Sequence, residues 1–165
     1  MSFKEINISE LSFNPFDKIG KEWFLVTAGN RDGYNTMTAS WGFMGVMWGK
    51  NVMETVIRPT RHTFGYMESS ELFTVSFFDE KYREALKFCG SHSGRDCDKA
   101  KEAGITPLFT EGTAAFEEAN MIFICKKLYS QTLDLSALAE GEQHWYNGDP
   151  HKAFIGEIVK VLVRE

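Results

Sequence analysis

Residues Asn35 to Thr63 read NTMTASWGFMGVMWGKNVMETVIRPTRHT, and the fold turns on this stretch. It opens on a polar-alternating segment, Asn35 to Trp41, and closes on Arg58-Pro59-Thr60-Arg61-His62-Thr63. Between them, Met44 to Trp48 and Val52 to Arg58 have the length and composition of two strands, with Gly49-Lys50-Asn51 as their turn. Pro59 has no N–H to give to a ladder and ends the second strand. Thr60 then stands where a hydroxyl can cap a helix running to about Glu68.

Upstream, Trp23 to Ala28 (WFLVTA) is a short apolar run, and Gly29 to Gly33 is a turn that pairs it with Asn35 to Trp41 as a hairpin. Residues 1–21 lack periodicity and read as an arm with short extended pieces. Downstream, Glu71 to Phe78 (ELFTVSFF) reads as a strand, and Asp79 caps a helix on which Tyr82, Leu86 and Cys89 recur at helical spacing. Ser91 to Arg95 is a loop, and Asp96 caps a short helix that stops at Gly104. Thr113 to Thr132 is one bent strand or two joined ones, Leu135 to Ala139 a helical turn, Gly141 to His151 mostly loop. Ala153 to Val163 closes the chain as a strand. Many short strands around a few short helices predict one mainly β domain over residues 1–165, a barrel with short helical insertions.

The totals narrow the function. The chain has 165 residues, 43% apolar and 25% charged, with a net charge of −5. That balance suits a globular protein and weighs against nucleic-acid binding, which calls for a basic surface. The first residues, MSFKEINISE, hold no apolar leader, and the longest apolar runs are far short of a membrane span. Cys89, Cys97 and Cys125 lie at no metal-type spacing and read as reduced thiols of a cytoplasmic protein; the histidines show no metal spacing either.

Three constellations carry chemistry. Arg58 to Thr63 sets two arginines, a histidine and two threonines at a helix entrance with no acid among them. Cations added to a helix N-terminus make an anion site suited to a phosphate; the competing reading is a solvated corner whose arginines pair with surface acids. Ser91-His92-Ser93-Gly94-Arg95, with Lys99, lets backbone approach a ligand closely, or is a plain inter-helix loop. Gly90 to Gly94 is no nucleophile elbow, because His92 stands where the nucleophile belongs. The hydroxyls of Thr38 and Ser40 and the ring of Trp41 could flank a flat heterocycle, although a strand Trp is more often core. Met44, Met47, Trp48 and Met53 suit core or a partner surface equally.

Taken in order, Asn35 to Trp41, Ile57 to Thr63, Ser93-Gly94-Arg95-Asp96 with Lys99, and His151 to Ile158 (HKAFIGEI) resemble the flavin reductase-like family, the FMN-binding split β-barrels that include flavoredoxins. The resemblance runs from about Trp23 to Val163. It implies a homodimer with one FMN per subunit near the interface. Thr38, Ala39, Ser40 and Trp41 would line the isoalloxazine, with Asn35 on the ring or ribityl chain. Arg58, Thr60, Thr63, Lys99 and Ser93 would hold the phosphate, and Phe154 and His151 would approach the flavin from the last strand. His151 would contact the nicotinamide or guard the ring face. The activity implied is hydride transfer from NAD(P)H to flavin; the alternative is a flavoredoxin-type electron-transfer protein reduced by a protein partner.

Overall fold

The computed structural model describes residues 2–165. Its elements are β1 (Phe3–Ile6), α1 (Pro15–Asp17), β2 (Phe24–Asn30), β3 (Gly33–Ala39), β4 (Gly42–Met47), β5 (Lys50–Ile57), α2 (His62–Ser69), β6 (Leu72–Phe77), α3 (Arg83–Ser91), α4 (Lys99–Ala103), β7 (Pro107–Thr110), β8 (Thr113–Phe116), β9 (Met121–Thr132) and β10 (Lys152–Arg164). Eight strands form one antiparallel sheet in the order β3-β2-β6-β9-β10-β5-β4, with β1 against the far half of β10. The β7–β8 hairpin stands apart. β3 and β4 follow each other in sequence yet lie at opposite ends of this order, so the barrel is split rather than closed by hydrogen bonds. No helix among the described residues is long and apolar enough to cross a membrane.

The three apolar runs become the central strands because both their faces are buried. Phe24, Val26 and Ala28 on β2, Phe73, Val75 and Phe77 on β6, and Met121, Phe123 and Cys125 on β9 point into one cluster with Met53, Ile57 and Phe154. The alternate residues Leu25, Ile122 and Ile124 pack outward against Leu86 and Cys89 of α3, Ala100 of α4 and the hairpin residues Ala115 and Phe116. A strand covered on both sides has no polar face to keep, hence continuous apolar runs instead of alternation. Phe24, Phe73, Phe77, Phe116, Phe123 and Phe154 are fully enclosed, each contributing about 1.5–3 kcal/mol of burial.

Most local expectations hold within a residue or two, with instructive departures. Asp79 precedes a 3₁₀ turn, Glu80–Tyr82, without a side-chain cap, and α3 itself begins only at Arg83. The β4–β5 turn is Trp48-Gly49, both left-handed (φ 53° and 69°), as a two-residue hairpin turn requires. Thr60 does not cap α2. The Arg61 N–H bonds the Arg58 carbonyl, which winds Pro59 and Thr60 into a turn and makes Arg61 the capping residue, without a side-chain bond. Likewise Asp98, not Asp96, caps α4 by accepting from the Lys101 N–H; Asp96 is used up in a turn onto the Ser93 carbonyl. β1 and β7 had no sequence signal, being four-residue strands without alternation.

Candidate functional site

β3 carries the site's first half. Asn35, buried near its start, donates through Nδ2 to Thr63 Oγ1 at 2.7 Å. Thr63 is fully buried in the first turn of α2, so this bond ties together the two polar ends of a stretch spanning 28 positions. Gly94 closes over the pair: a Cβ there would lie 2.0 Å from Asn35 Oδ1 and 2.9 Å from His62 Cδ2. Lys99, buried at the start of α4, donates through Nζ to the carbonyls of Thr36 and Cys89, both at 2.9 Å. It thereby satisfies an acceptor on the terminal strand of the sheet and fastens α3 to it. Arg61 donates to the Gly90 carbonyl and Arg95 to the Thr60 carbonyl, each at 3.2 Å.

Asn35, Thr36, His62, Gly94 and Lys99 line one cavity of about 280 Å³, with Tyr34, Tyr66 and Asp98 on its wall. Its electrostatics are those of crowded cations. Burial, and then Arg61, pull the Lys99 ammonium down to about 8; burial lowers Arg61; burial, Arg95 and Lys99 lower His62. Among the described residues none of Arg61, Arg95 and Lys99 forms an ion pair. Asp98 spends its carboxylate on capping its own helix. The first N–H groups of α2 have no acceptor within the helix, which adds positive potential to the same place.

The second half lies where β3 runs out. Thr38 donates to the Leu86 carbonyl of α3, and Ala39 and Ser40 are half-buried. Trp41, 41% exposed, meets Trp145 at 5.1 Å and His151 at 5.4 Å between ring centroids. Residues 133–151, joining β9 to β10, fold as a strap over it through two short 3₁₀ turns, Leu135–Ala137 and Glu140–Trp145. Arg58 fastens the strap, donating to Asp149 Oδ1 at 2.8 Å, the Asp149 carbonyl at 3.2 Å and the Trp145 carbonyl at 3.0 Å. The Tyr146 hydroxyl lies 2.7 Å from His151 Nδ1. Burial, then Arg58, push His151 down to about 4, so its ring is neutral at neutral pH and works as a hydrogen-bonding and packing group. Ser40 and Trp41 also wall a larger cavity of about 640 Å³ with Phe16, Ile19, Phe43, Glu54, Val56 and Tyr146.

The structure thus brings Asn35, Thr63 and Lys99 together, with Ser93 in the adjoining turn, where its Oγ accepts from the Arg95 N–H. Trp41 and His151 form a separate group. Three of the residues expected at the flavin stand apart from both groups or in their backing. Arg58 is paired with Asp149 and belongs to the strap, and Thr60 meets the first group only through its carbonyl. Phe154 is fully enclosed in the core, its ring packed against Phe64. Arg61, His62 and Arg95 stand in the same two segments and crowd around Lys99 electrostatically. For Arg61 and His62 the signal is the absence of any acid from Arg58 to Thr63.

The model of the flavin reductase like domain matches residues 16–165. This chain belongs to that family. Among solved structures, an FMN-binding protein from Thermus thermophilus with bound 1-cyclohex-2-enone superposes with a TM-score of 0.68 at 23% identity, covering 84% of this chain and 68% of that one. Flavoredoxin of Desulfovibrio vulgaris (Miyazaki F) gives 0.69 at 24% identity, covering 87% and 69%. The NADH:FAD oxidoreductase SgcE6 of Streptomyces globisporus C-1027 gives 0.65 at 16% identity, covering 87% and 75%. Among curated proteins none matches the sequence. At these identities the neighbours share the split-barrel fold with this member of the flavin reductase-like family. Its Cys89 and Cys125 are buried with their thiols pushed up, Cys89 to about 11, and all three cysteines are free. Burial keeps those two protonated and poorly nucleophilic.

Proposed function

We propose that the chain binds FMN and transfers hydride from NAD(P)H to flavin. The observation that carries this is the cavity at Asn35, His62, Gly94 and Lys99, where Lys99 feels the charge of Arg61 and His62 that of Arg95, none of these cations having an ion-pair partner among the described residues, beside a helix N-terminus and on a strand that leads to Trp41. Such a donor set fits a phosphate, whose charge would relieve the mutual repulsion of Arg61, Arg95 and Lys99. Family membership and FMN-binding neighbours support the same ligand. Arg61, Arg95, Lys99 and the first N–H groups of α2 would hold the phosphate, Thr38 to Trp41 the ring, and Asn35 the chain between. Bound FMN supplies the redox chemistry, and no acid–base dyad is asked of the protein. The chain's own work is to hold that ring at the end of β3, neutralise the phosphate, and exclude water with the strap that Arg58 latches.

The phosphate assignment separates from the strap by comparing two flavins. Arg61→Ala should weaken FMN binding by about tenfold, the worth of one charge-assisted hydrogen bond, and leave riboflavin nearly unchanged. Arg58→Ala should weaken both alike, since it loosens the strap. Fluorescence titration reads both, and equal losses in Arg61→Ala would place the anion elsewhere. Stopped-flow mixing of the flavin-loaded protein with NADH and NADPH tests the hydride step. Bleaching of the flavin band by either supports it; none by both would leave an electron carrier of flavoredoxin type.

A second copy completes the proposal. Val46, Met47 and Trp48, between 45% and 74% exposed, lie at the far end of edge strand β4, whose outer side is unpaired among the described residues, and in its turn, and Trp48 lies 6.1 Å from Tyr129. So large an apolar surface on a sheet edge calls for a cover, and a homodimer supplies it. Sedimentation at micromolar concentration should give twice the chain mass; a monomer would sink this part.

A further inference from the structure

The 640 Å³ cavity has a polar group that the FMN reading leaves unused. Its walls are Phe16, Ile19, Trp41, Phe43, Val56 and Tyr146, and Glu54 stands among them. Glu54 lies on β5 opposite Phe43 of β4 and Ile155 of β10, on the face of the sheet turned away from Met53 and the core. It is half-buried, and among the described residues it makes no ion pair and no side-chain hydrogen bond. Other carboxylates around this sheet hold cations: Glu157 of β10 holds Lys50, and Glu68 of α2 holds Lys152 of β10. Desolvation raises the Glu54 carboxyl, with no charge nearby to offset it.

We propose that this cavity is a binding site for a flat aromatic ligand bearing an amine or other organic cation, with the rings on Trp41 and Phe43 and the cation on Glu54. Three features agree. The volume lies within the range of small-molecule pockets. The walls are aromatic on several sides, which favours a planar ligand and attracts a cation to ring faces. The lone carboxylate and the net charge of −5 select positive over negative ligands. Among the described residues no cation lines the cavity, and Arg58, which lies over the Tyr146 ring, is already paired with Asp149. The proposal rests on the FMN reading for its meaning, since Ser40 and Trp41 would place such a ligand beside the ring. The binding itself depends only on the walls described.

Tryptamine and tryptophol, which differ in ammonium against hydroxyl, are the probes, followed by calorimetry on the full-length protein as purified. Tryptamine should bind about tenfold more tightly than tryptophol. Glu54→Gln should bring the two together while leaving tryptophol unchanged, and Val56→Phe should weaken both by filling the cavity. Equal binding of the two probes by the unaltered protein, a preference that survives in Glu54→Gln, or no binding by either would overturn the proposal. So would displacement of flavin by tryptamine, which would make the cavity the ring site itself. A Glu54→Gln protein that fails to fold leaves Val56→Phe and the two-probe ratio to decide. Colourless protein that binds tryptamine would sink the cofactor reading alone; yellow protein that ignores it would sink this one alone.

Discussion

Gly94→Val is expected to weaken FMN binding by about a hundredfold or more. Even the first added carbon would sit 2.0 Å from Asn35 Oδ1, well inside the closest approach of non-bonded heavy atoms. Asn35 is a poor residue to push. It is buried, and its Nδ2 is committed to Thr63 Oγ1 at 2.7 Å. Either the loop carrying Ser93, Gly94 and Arg95 lifts away from β3, or the Asn35–Thr63 bond breaks and α2 loses its tie to the strand. A buried polar group left without its partner costs about 1–3 kcal/mol, and displacing Arg95 from the phosphate adds to that. About 3 kcal/mol in total is two decades of affinity. Gly45→Ala is the control, because nothing lies within 4 Å of the carbon it adds. Fluorescence titration of FMN into both variants, with melting curves to show that each is folded, decides it. A Gly94→Val protein binding FMN within about threefold of the unaltered chain would mean that this loop does not face the cofactor.

How far the site could be read without coordinates follows from how far apart its partners lie. The Asn35–Thr63 stretch showed both polar ends and the hairpin between them, because each is encoded in neighbouring residues. The apolar runs at β2, β6 and β9 showed three strands for the same reason, while the burial of both their faces follows from packing that the runs alone do not state. Which of several similar residues takes which partner was not legible. Arg58 and Arg61 stand three positions apart, and their fates are separated by Asp149, 91 positions from Arg58, which claims one of them. The cap of α2 moved from Thr60 to Arg61 because Pro59 prefers to begin a turn, and that turn closes onto Arg58. Phe154 sits in a motif matching the family's last strand, but period-two alternation alone does not say which face of a strand meets the core. Its partners in register, Thr55 and Ser130, had to be known first. Glu54 drew no notice because a lone acid in a strand is ordinary on a solvated face.

Gly156→Ala should cost stability on a scale that few single methyl groups reach. Gly156 lies in the middle of β10, at a register shift against β9, between residues that pack both ways into the core. A Cβ there would come within 2.6 Å of Phe73 Cε1, 2.7 Å of Phe73 Cζ and 2.9 Å of Cys125 Cβ. Carbon atoms prefer about 3.5–4.0 Å, so the overlap is close to an ångström on both sides. Phe73 is 1% exposed and Cys125 0%, which leaves neither any direction to retreat. Overpacking of this kind typically costs 1–3 kcal/mol, and this site belongs at the top of that range, about 3 kcal/mol. For a chain of this length that corresponds to a fall of roughly 6–12 °C in melting temperature. The mechanism has its own check. If the clash with the Phe73 ring is the cause, Phe73→Leu should relieve it, and the double variant should be more stable than the sum of the two single losses by about 1 kcal/mol or more. Additive losses would place the cost in β10's own backbone. A Gly156→Ala protein that melts within about 2 °C of the unaltered chain would show that the core opens there far more readily than its packing allows.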